Sequence, residues 1–283
     1  MITDAMLDAL LAEDAPNGDL TTRALGIAAR PGRIRFAARA AMTLACVEEA
    51  ERLLARLGAR PHRHRASGDA VAAGEVVLEA EGPAAALHAG WKTAQTLIEA
   101  TSGIAGAARR IVDAARAVEP GIVVACTRKT FPGARALMAR AVLAGGAELH
   151  RSGLSETVLV FPEHRAFLGG ADGFPAMLDD LKRRLPEKKV VVETASAAEA
   201  IALAQAGADV IQLEKLPPGE VRGVVEAVRA LNPAPVIAAA GGVNEANAAD
   251  YAAAGCRVLV TSAPYWARPA DIKVTIEAAD GAG

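Results

Sequence analysis

Thr127-Arg128-Lys129-Thr130 ends an apolar run in ACTRKTFPG and sets two cations between two hydroxyls where a strand should finish. His150 and Arg151 follow later, just past a Gly145-Gly146 pair. Guanidinium, ammonium and hydroxyl groups together suit a phosphate or a similar oxyanion. Glu193 closes KVVVET and Glu214 closes DVIQLE, so two acids stand at strand ends and face a cationic one. Carboxylates in that relation suit Mg²⁺ or sugar hydroxyls. Gly241-Gly242, followed by Val243-Asn244-Glu245, reads either as a turn with Asn244 as N-cap or as a strand–glycine–helix phosphate cradle. Each feature alone has a plainer reading: a solvated basic loop, two surface caps, a simple turn.

These residues need elements to hold them. From Ile122 onward the chain alternates. IVVACT, ETVLVF, KVVVET, DVIQLE, APVIAA and RVLVTS read as strands, and PAMLDDLKRRL, SAAEAIALAQAG, PGEVRGVVEAVRAL and NEANAADYAAAG read as helices between them. Strands that are near-continuous apolar runs are buried on both faces. Repeated βα units imply either an open doubly wound sheet or a β/α barrel, and both carry their sites at strand C-terminal ends. Residues 1–118 read differently. A short helix spans Thr3 to Ala12, and the loop EDAPNGDLTT follows. After it come a strand in GRIRFAAR, a helix in CVEEAERLLARLG and short strands broken by glycines. A long Ala-rich helix then covers Ala84 to Val118, with an interruption expected at Ser102-Gly103. The expected division is therefore an α+β domain over 1–118 and a β/α domain over 119–283, whose C-terminal tail can return to the first.

Composition narrows the function. Of 283 residues 52 % are hydrophobic and only 3 % aromatic, which suits an Ala-rich α/β protein with a large core. The net charge of −2 gives no global attraction to nucleic acid or anionic membrane, so positive charge must be local. Three cysteines without metal-ligand spacing favour a reducing compartment. The acidic N-terminal stretch lacks the basic start of a signal peptide, and no apolar run of membrane-spanning length occurs, so a cytoplasmic location is expected. No GxSxG, HExxH or Walker motif is present. His62-Arg63-His64-Arg65 reads as a solvated strand, and Trp91 and Trp266 as core or interface.

The ordered set EDAPNGDLTT, SGIA, TRKTFPG, GG-x₃-HR, VVVET, DVIQLE and GGVN resembles the quinolinate phosphoribosyltransferase family over nearly the whole chain. WKTAQTLIEATSGIAG, HRSGLSETVLVFPEH and VTSAPYWARPADIKV are similar to a branch of it associated with molybdenum transport genes. The resemblance implies an N-terminal α/β sandwich and a C-terminal open β/α barrel of about six or seven strands. It also implies a homodimer in which one subunit's N-terminal domain closes the other's barrel mouth. The implied reaction moves phosphoribose from 5-phosphoribosyl-1-pyrophosphate (PRPP), with Mg²⁺, to the ring nitrogen of a pyridine dicarboxylate, which then loses a carboxylate. Arg128, Lys129, His150 and Arg151 are implied as the cationic set, with Thr127 and Thr130 beside them. Glu193 and Glu214 are implied for ribose hydroxyls and Mg²⁺, with Asp the usual residue at 214. Gly241 and Gly242 are implied for the 5-phosphate, and Thr261 and Ser262 stand at the last strand's end, where the family has glycine at 261.

The departures fall on one side of the site. Ala100 stands where the family has Arg, and Phe161 where it has Lys. Trp91-Lys92 replaces the family's Glu-Arg. Losing two charge-assisted hydrogen bonds, at about 1.5–3 kcal/mol each, would weaken quinolinate by orders of magnitude. The PRPP half is thus expected to be kept and the acceptor half to be more apolar. Two other readings stay open at the sequence level. One is a non-catalytic oxyanion or small-ligand binder on the same scaffold, which the two acids oppose. The other is an aldolase-like barrel with Lys129 or Lys215 as Schiff-base lysine.

Overall fold

The computed structural model describes residues 2–169 and 174–279. In chain order the first half holds α1 (Asp4–Asp14), α2 (Leu20–Ala24), β1 (Pro31–Ala38), β2 (Met42–Thr43), α3 (Val47–Arg56), β3 (Arg60–Arg63), β4 (Ala70–Val71), β5 (Val76–Pro83) and α4 (Ala84–Arg116). The second half runs β6 (Val123–Cys126), α5 (Arg135–Ala144), β7 (Glu148–Leu149), β8 (Val158–Val160), α6 (Pro162–Arg165), α7 (Phe174–Arg184), β9 (Val190–Thr194) and α8 (Ala197–Gln205). It continues through β10 (Val210–Glu214), α9 (Pro218–Val228), β11 (Val236–Ala240), α10 (Ala248–Ala253), β12 (Val258–Thr261) and β13 (Ile272–Ala278). No helix among the described residues is long and apolar enough to cross a membrane.

The chain forms two compact units: Met1–Arg109 with Phe131–Gly146 and Pro264–Gly283, and Arg110–Thr130 with Ala147–Ala263. Of the expected barrel domain, 119–283, α5 falls in the first unit, and so does the C-terminal segment, whose return the sequence reading allowed. In that unit a four-stranded antiparallel sheet runs β13-β1-β5-β3. β1 alternates buried and open residues along its length, as a half-buried strand must. Ile34, Phe36, Leu78, Leu87, Ile98 and Ile272 pack as its core. α1 starts where the Thr3 hydroxyl accepts the amide of Met6.

α4 runs unbroken through Ser102-Gly103, against the expected interruption. The structure gives these residues another task. The Ser102 hydroxyl accepts the Ala45 amide at 3.0 Å, and the Thr101 hydroxyl donates to the Ala45 carbonyl at 3.0 Å. A Cβ on Gly103 would overlap the Arg268 carbonyl and stand 3.0 Å from Pro269 Cα. Glycine is there for close approach of another backbone, which outweighs its helix cost of about 1 kcal/mol.

The second unit contains a seven-stranded sheet in the order β7-β6-β12-β11-β10-β9-β8, parallel at every pairing. Of the two folds that the alternating pattern allowed, this is the open β/α barrel that the family resemblance implied. The six sequence-expected strands correspond to β6 and β8–β12. β7, only Glu148–Leu149, has too few residues to register as a periodic run. Val192, Ile211, Leu213, Ala239 and Leu259 are buried along these strands.

Candidate active site

All seven strands of the barrel unit point their C-terminal ends the same way, so residues scattered over more than a hundred positions converge there. A cavity of about 190 Å³ opens at that end. Its cationic side comes from the two strands at one end of the sheet. Thr127, Arg128 and Lys129 follow β6, and His150 and Arg151 follow β7. The turn after β6 is shaped by its own residues: the Thr127 hydroxyl accepts the Lys129 amide at 3.2 Å, and the Thr127 amide donates to the Thr261 carbonyl at 2.9 Å. Arg128, Lys129 and Arg151 form no close ion pair with a carboxylate among the described residues, and Lys129 acts on Glu193 only at longer range. Burial and the charge of Arg128 both lower the pKa of the Arg151 guanidinium. Burial, then Arg151, also pushes the His150 imidazole below its ordinary 6.5. At neutral pH His150 is therefore a neutral hydrogen-bonding ring, and the positive charge belongs to the other three residues.

The acidic side comes from β9 and β10. Glu193 and Gln212 are register partners across these strands, and the Gln212 amide donates to the Glu193 carboxylate at 2.5 Å. Glu214 lies two residues beyond Gln212 on the same face. Burial raises the pKa of the Glu193 carboxyl, helped by repulsion from Glu214 and Glu163 and opposed by the Gln212 hydrogen bond and Lys129. Gln212 is 3 % exposed, and its carbonyl oxygen has no partner among the described residues although the residue lines the cavity. Sequence reasoning passed over it. Its signal was a lone polar residue in the apolar run DVIQLE.

Arg165 was missed as well, and an Arg after a strand end carries no signal of burial. It is 4 % exposed, pairs with Glu199 and donates to the Glu193 carbonyl at 3.0 Å. That bond fixes the backbone from which Glu193 projects.

Gly241 and Gly242 follow β11 in the left-handed region, with φ of 80° and 93°. A Cβ on Gly241 would stand 2.6 Å from a Glu214 carboxylate oxygen. Their amides donate to no protein acceptor among the described residues. The helix expected at once after them starts later, at Ala248, with Asn247 rather than Asn244 at its N-cap. The intervening loop is tied by Asn244 and Asn247 side-chain amides, which donate to the Gly242 carbonyl at 2.9 and 3.1 Å. Any phosphate there would meet a glycine loop and not a helix dipole. The Thr261 hydroxyl is committed to the Val243 carbonyl at 2.6 Å, so it clasps that loop. Ser262 lines the cavity beside it.

Phe161, at the end of β8, closes the ring of strand ends. The Arg151 guanidinium lies 5.8 Å from its ring centroid, so the two outermost strands meet there. Two expected site residues are elsewhere. Thr130 does not line this cavity. Ala100 lies in the first unit, on α4, where it lines an apolar hollow with Lys92, Leu97 and Leu137. Lys215 has a left-handed backbone, φ 59°, and an exposed side chain, which does not suit a desolvated Schiff-base lysine. No group of three or more His, Cys, Asp or Glu residues that could cage a metal occurs among the described residues.

Comparison with known proteins agrees with this architecture. Sequence models of the quinolinate phosphoribosyl transferase N-terminal and C-terminal domains match residues 19–102 and 104–275. The chain is 55 % identical to the "Putative pyrophosphorylase ModD" of Rhodobacter capsulatus over 259 residues, covering 91 % of this chain and 98 % of that one. It is 32 % identical over 244 residues to a protein of Methanothermobacter thermautotrophicus named as a probable carboxylating nicotinate-nucleotide pyrophosphorylase, covering 82 % and 84 % of the two. The crystal structure of NadC from Streptococcus pyogenes shares the fold, with a TM-score of 0.89 at 23 % identity over 99 % of both chains. The two domain models match in chain order over residues 19–102 and 104–275, and the chain belongs to the quinolinate phosphoribosyl transferase family.

Proposed function

We propose that this protein is a phosphoribosyltransferase that takes PRPP, with Mg²⁺, and moves its phosphoribose to a ring nitrogen of a small aromatic acceptor, releasing pyrophosphate. One observation carries the reading: three cations that form no close ion pair among the described residues share a single cavity at the strand ends with Glu193 and Glu214. A bare oxyanion would be repelled by those two acids, whereas a sugar phosphate has hydroxyls for them. As the bond from C1 to pyrophosphate breaks, negative charge grows on the leaving oxygens and positive charge on the ribose ring. Lys129, whose charge acts on Glu193, is fixed where the first can be received, Arg128 and Arg151 where an acceptor's anionic group can be held, and Glu193 and Glu214 where the second can be stabilised and ribose hydroxyls held. The amides of Gly241 and Gly242 are free to receive the 5-phosphate. Neutral His150 can donate one hydrogen bond without adding charge.

The residues fit a Mg²⁺ that travels with the substrate. Two carboxylates, one of them with a raised pKa from burial beside the other, are too few for a protein cage but enough beside phosphate oxygens. When bound, the ion would neutralise pyrophosphate charge.

The acceptor in this reading is less anionic than quinolinate, because Phe161 puts an aromatic ring at the cavity wall where the resemblance expects a lysine. A desolvated second carboxylate would lack a partner there. Activity as a homodimer is part of the proposal, with one subunit's N-terminal unit, bearing Lys92 and Ala100, covering its partner's barrel mouth.

The direct test is thermal stability with PRPP and Mg²⁺. At about 100 times Kd the gain is about 2.7 kcal/mol, seen as a rise in Tm. Lys129→Ala abolishes it. An unchanged Tm for the wild type removes the transferase reading.

A further inference from the structure

A second, larger cavity of about 630 Å³ adjoins the barrel cavity in the same unit. The two share Arg128, Arg151, Leu159 and Phe161. The second is otherwise walled largely by aliphatic and thioether groups, including Leu154, Val158, Val160, Met177 and Leu181. Leu154 and Met177 are open to solvent, at 72 % and 42 % exposure. β8 is one of the two edge strands of the sheet, so no strand among the described residues pairs beyond Val158–Val160, and α7 supplies the facing wall. The charged groups at its far rim, Asp180 and Arg184, pair with each other at 2.7 Å. Arg128 and Arg151, where the cavities join, pair with no carboxylate among the described residues.

A ligand bridging the two cavities thus meets cations at the junction, an aromatic ring beside them, and apolar surface beyond. From this continuity, and resting on the transferase reading above, we infer that the acceptor is an extended aromatic monocarboxylate. Its carboxylate is held by Arg128 and Arg151, its nitrogen-bearing ring faces the barrel cavity along Phe161, and a fused ring or aryl substituent lies between β8 and α7. The apolar hollow selects for size, and the paired guanidinium groups select for one negative charge.

Quinoline-3-carboxylate and pyridine-3-carboxylate keep the same relation of nitrogen to carboxylate and differ only by a fused ring. Titration calorimetry of both, with and without PRPP, measures the preference. The wild type is expected to bind the bicycle at least about tenfold more tightly, equivalent to about 1.4 kcal/mol. Met177→Trp, which fills the hollow, and Leu154→Asp, which makes its rim polar, should each bring the ratio of the two Kd values close to one. Circular dichroism melting of each variant verifies that it folds. A wild-type ratio near one, or a high ratio retained in both variants, overturns the inference. So does a change in molecular mass of either variant by light scattering without a change in the ratio, which would assign the hollow to a second copy of the chain. The PRPP melting shift separates this inference from its premise. A shift without bicycle preference removes the extended acceptor alone. Bicycle preference without a shift leaves the carboxylate groove standing and removes the transferase reading.

Discussion

Glu193 carries two opposed demands. Burial and the neighbouring Glu214 disfavour its charge, yet a ribose-binding role needs that charge. Its folded pKa is raised above the ordinary 4.5, so its contribution to stability is fully present below 4.5 and is lost as pH rises through the folded value. Glu193→Gln should therefore melt higher than wild type at pH 7, with the difference disappearing below pH 4.5, while kcat drops by about 100-fold. Melting curves across that pH range and a pyrophosphate-release assay check both halves. Equal melting at pH 7 would show that the free carboxylate is not a liability. Phe161 makes the complementary case. Phe161→Lys restores one charge-assisted hydrogen bond, of about 1.5–3 kcal/mol, so kcat/KM on quinolinate should rise by about 10- to 100-fold. If the wild type already turns over quinolinate at about 10⁴ M⁻¹s⁻¹ or faster, the argument from this position fails.

At the level of elements, the site is an assembly of strand ends with a glycine loop held against them. Gly241 and Gly242 both have positive φ, but only Gly241 is crowded. Gly242→Ala should cost only the left-handed backbone penalty, about 1–2 kcal/mol. Gly241→Ala adds displacement of the Glu214 carboxylate, so it should lose more stability by urea denaturation and raise the Kd of PRPP, which Gly242→Ala should change less. Equal effects from the two would mean that Glu214 moves freely. The SGIA segment shows how a sequence cue can be read for the wrong element. A Ser-Gly pair suggests a break in a helix, and here it instead lets α4 run close to the Arg268–Pro269 backbone.

For the whole molecule, the proposal of shared sites makes a quantitative prediction. Arg128→Ala disables the barrel cavity, and Lys92→Glu alters only the N-terminal unit. Each homodimer should be nearly inactive. Subunits mixed and re-equilibrated in equal amounts should regain about a quarter of wild-type turnover, because half the dimers are mixed and each has one intact site. An active monomer, or no recovery after mixing, would sink the shared-site proposal.

The family, the half-barrel and most of the cavity were legible in the linear order of residues. Buried parallel strands need continuous apolar runs, and Arg128, Lys129, Glu193, Glu214 and the paired glycines stand just where those runs stop. What required the tertiary structure depended on neighbours far apart in the chain. Gln212 became part of the site through its register with Glu193, and Arg165 through its bond to the Glu193 carbonyl. The charge of His150 was set by burial next to Arg151. Thr261 became a clasp because Val243 lies across from it, and α5 joined the first unit although it follows a barrel strand. Apolar periodicity is local and survives in sequence. Burial, register and the charge of a neighbour arise only when distant segments meet.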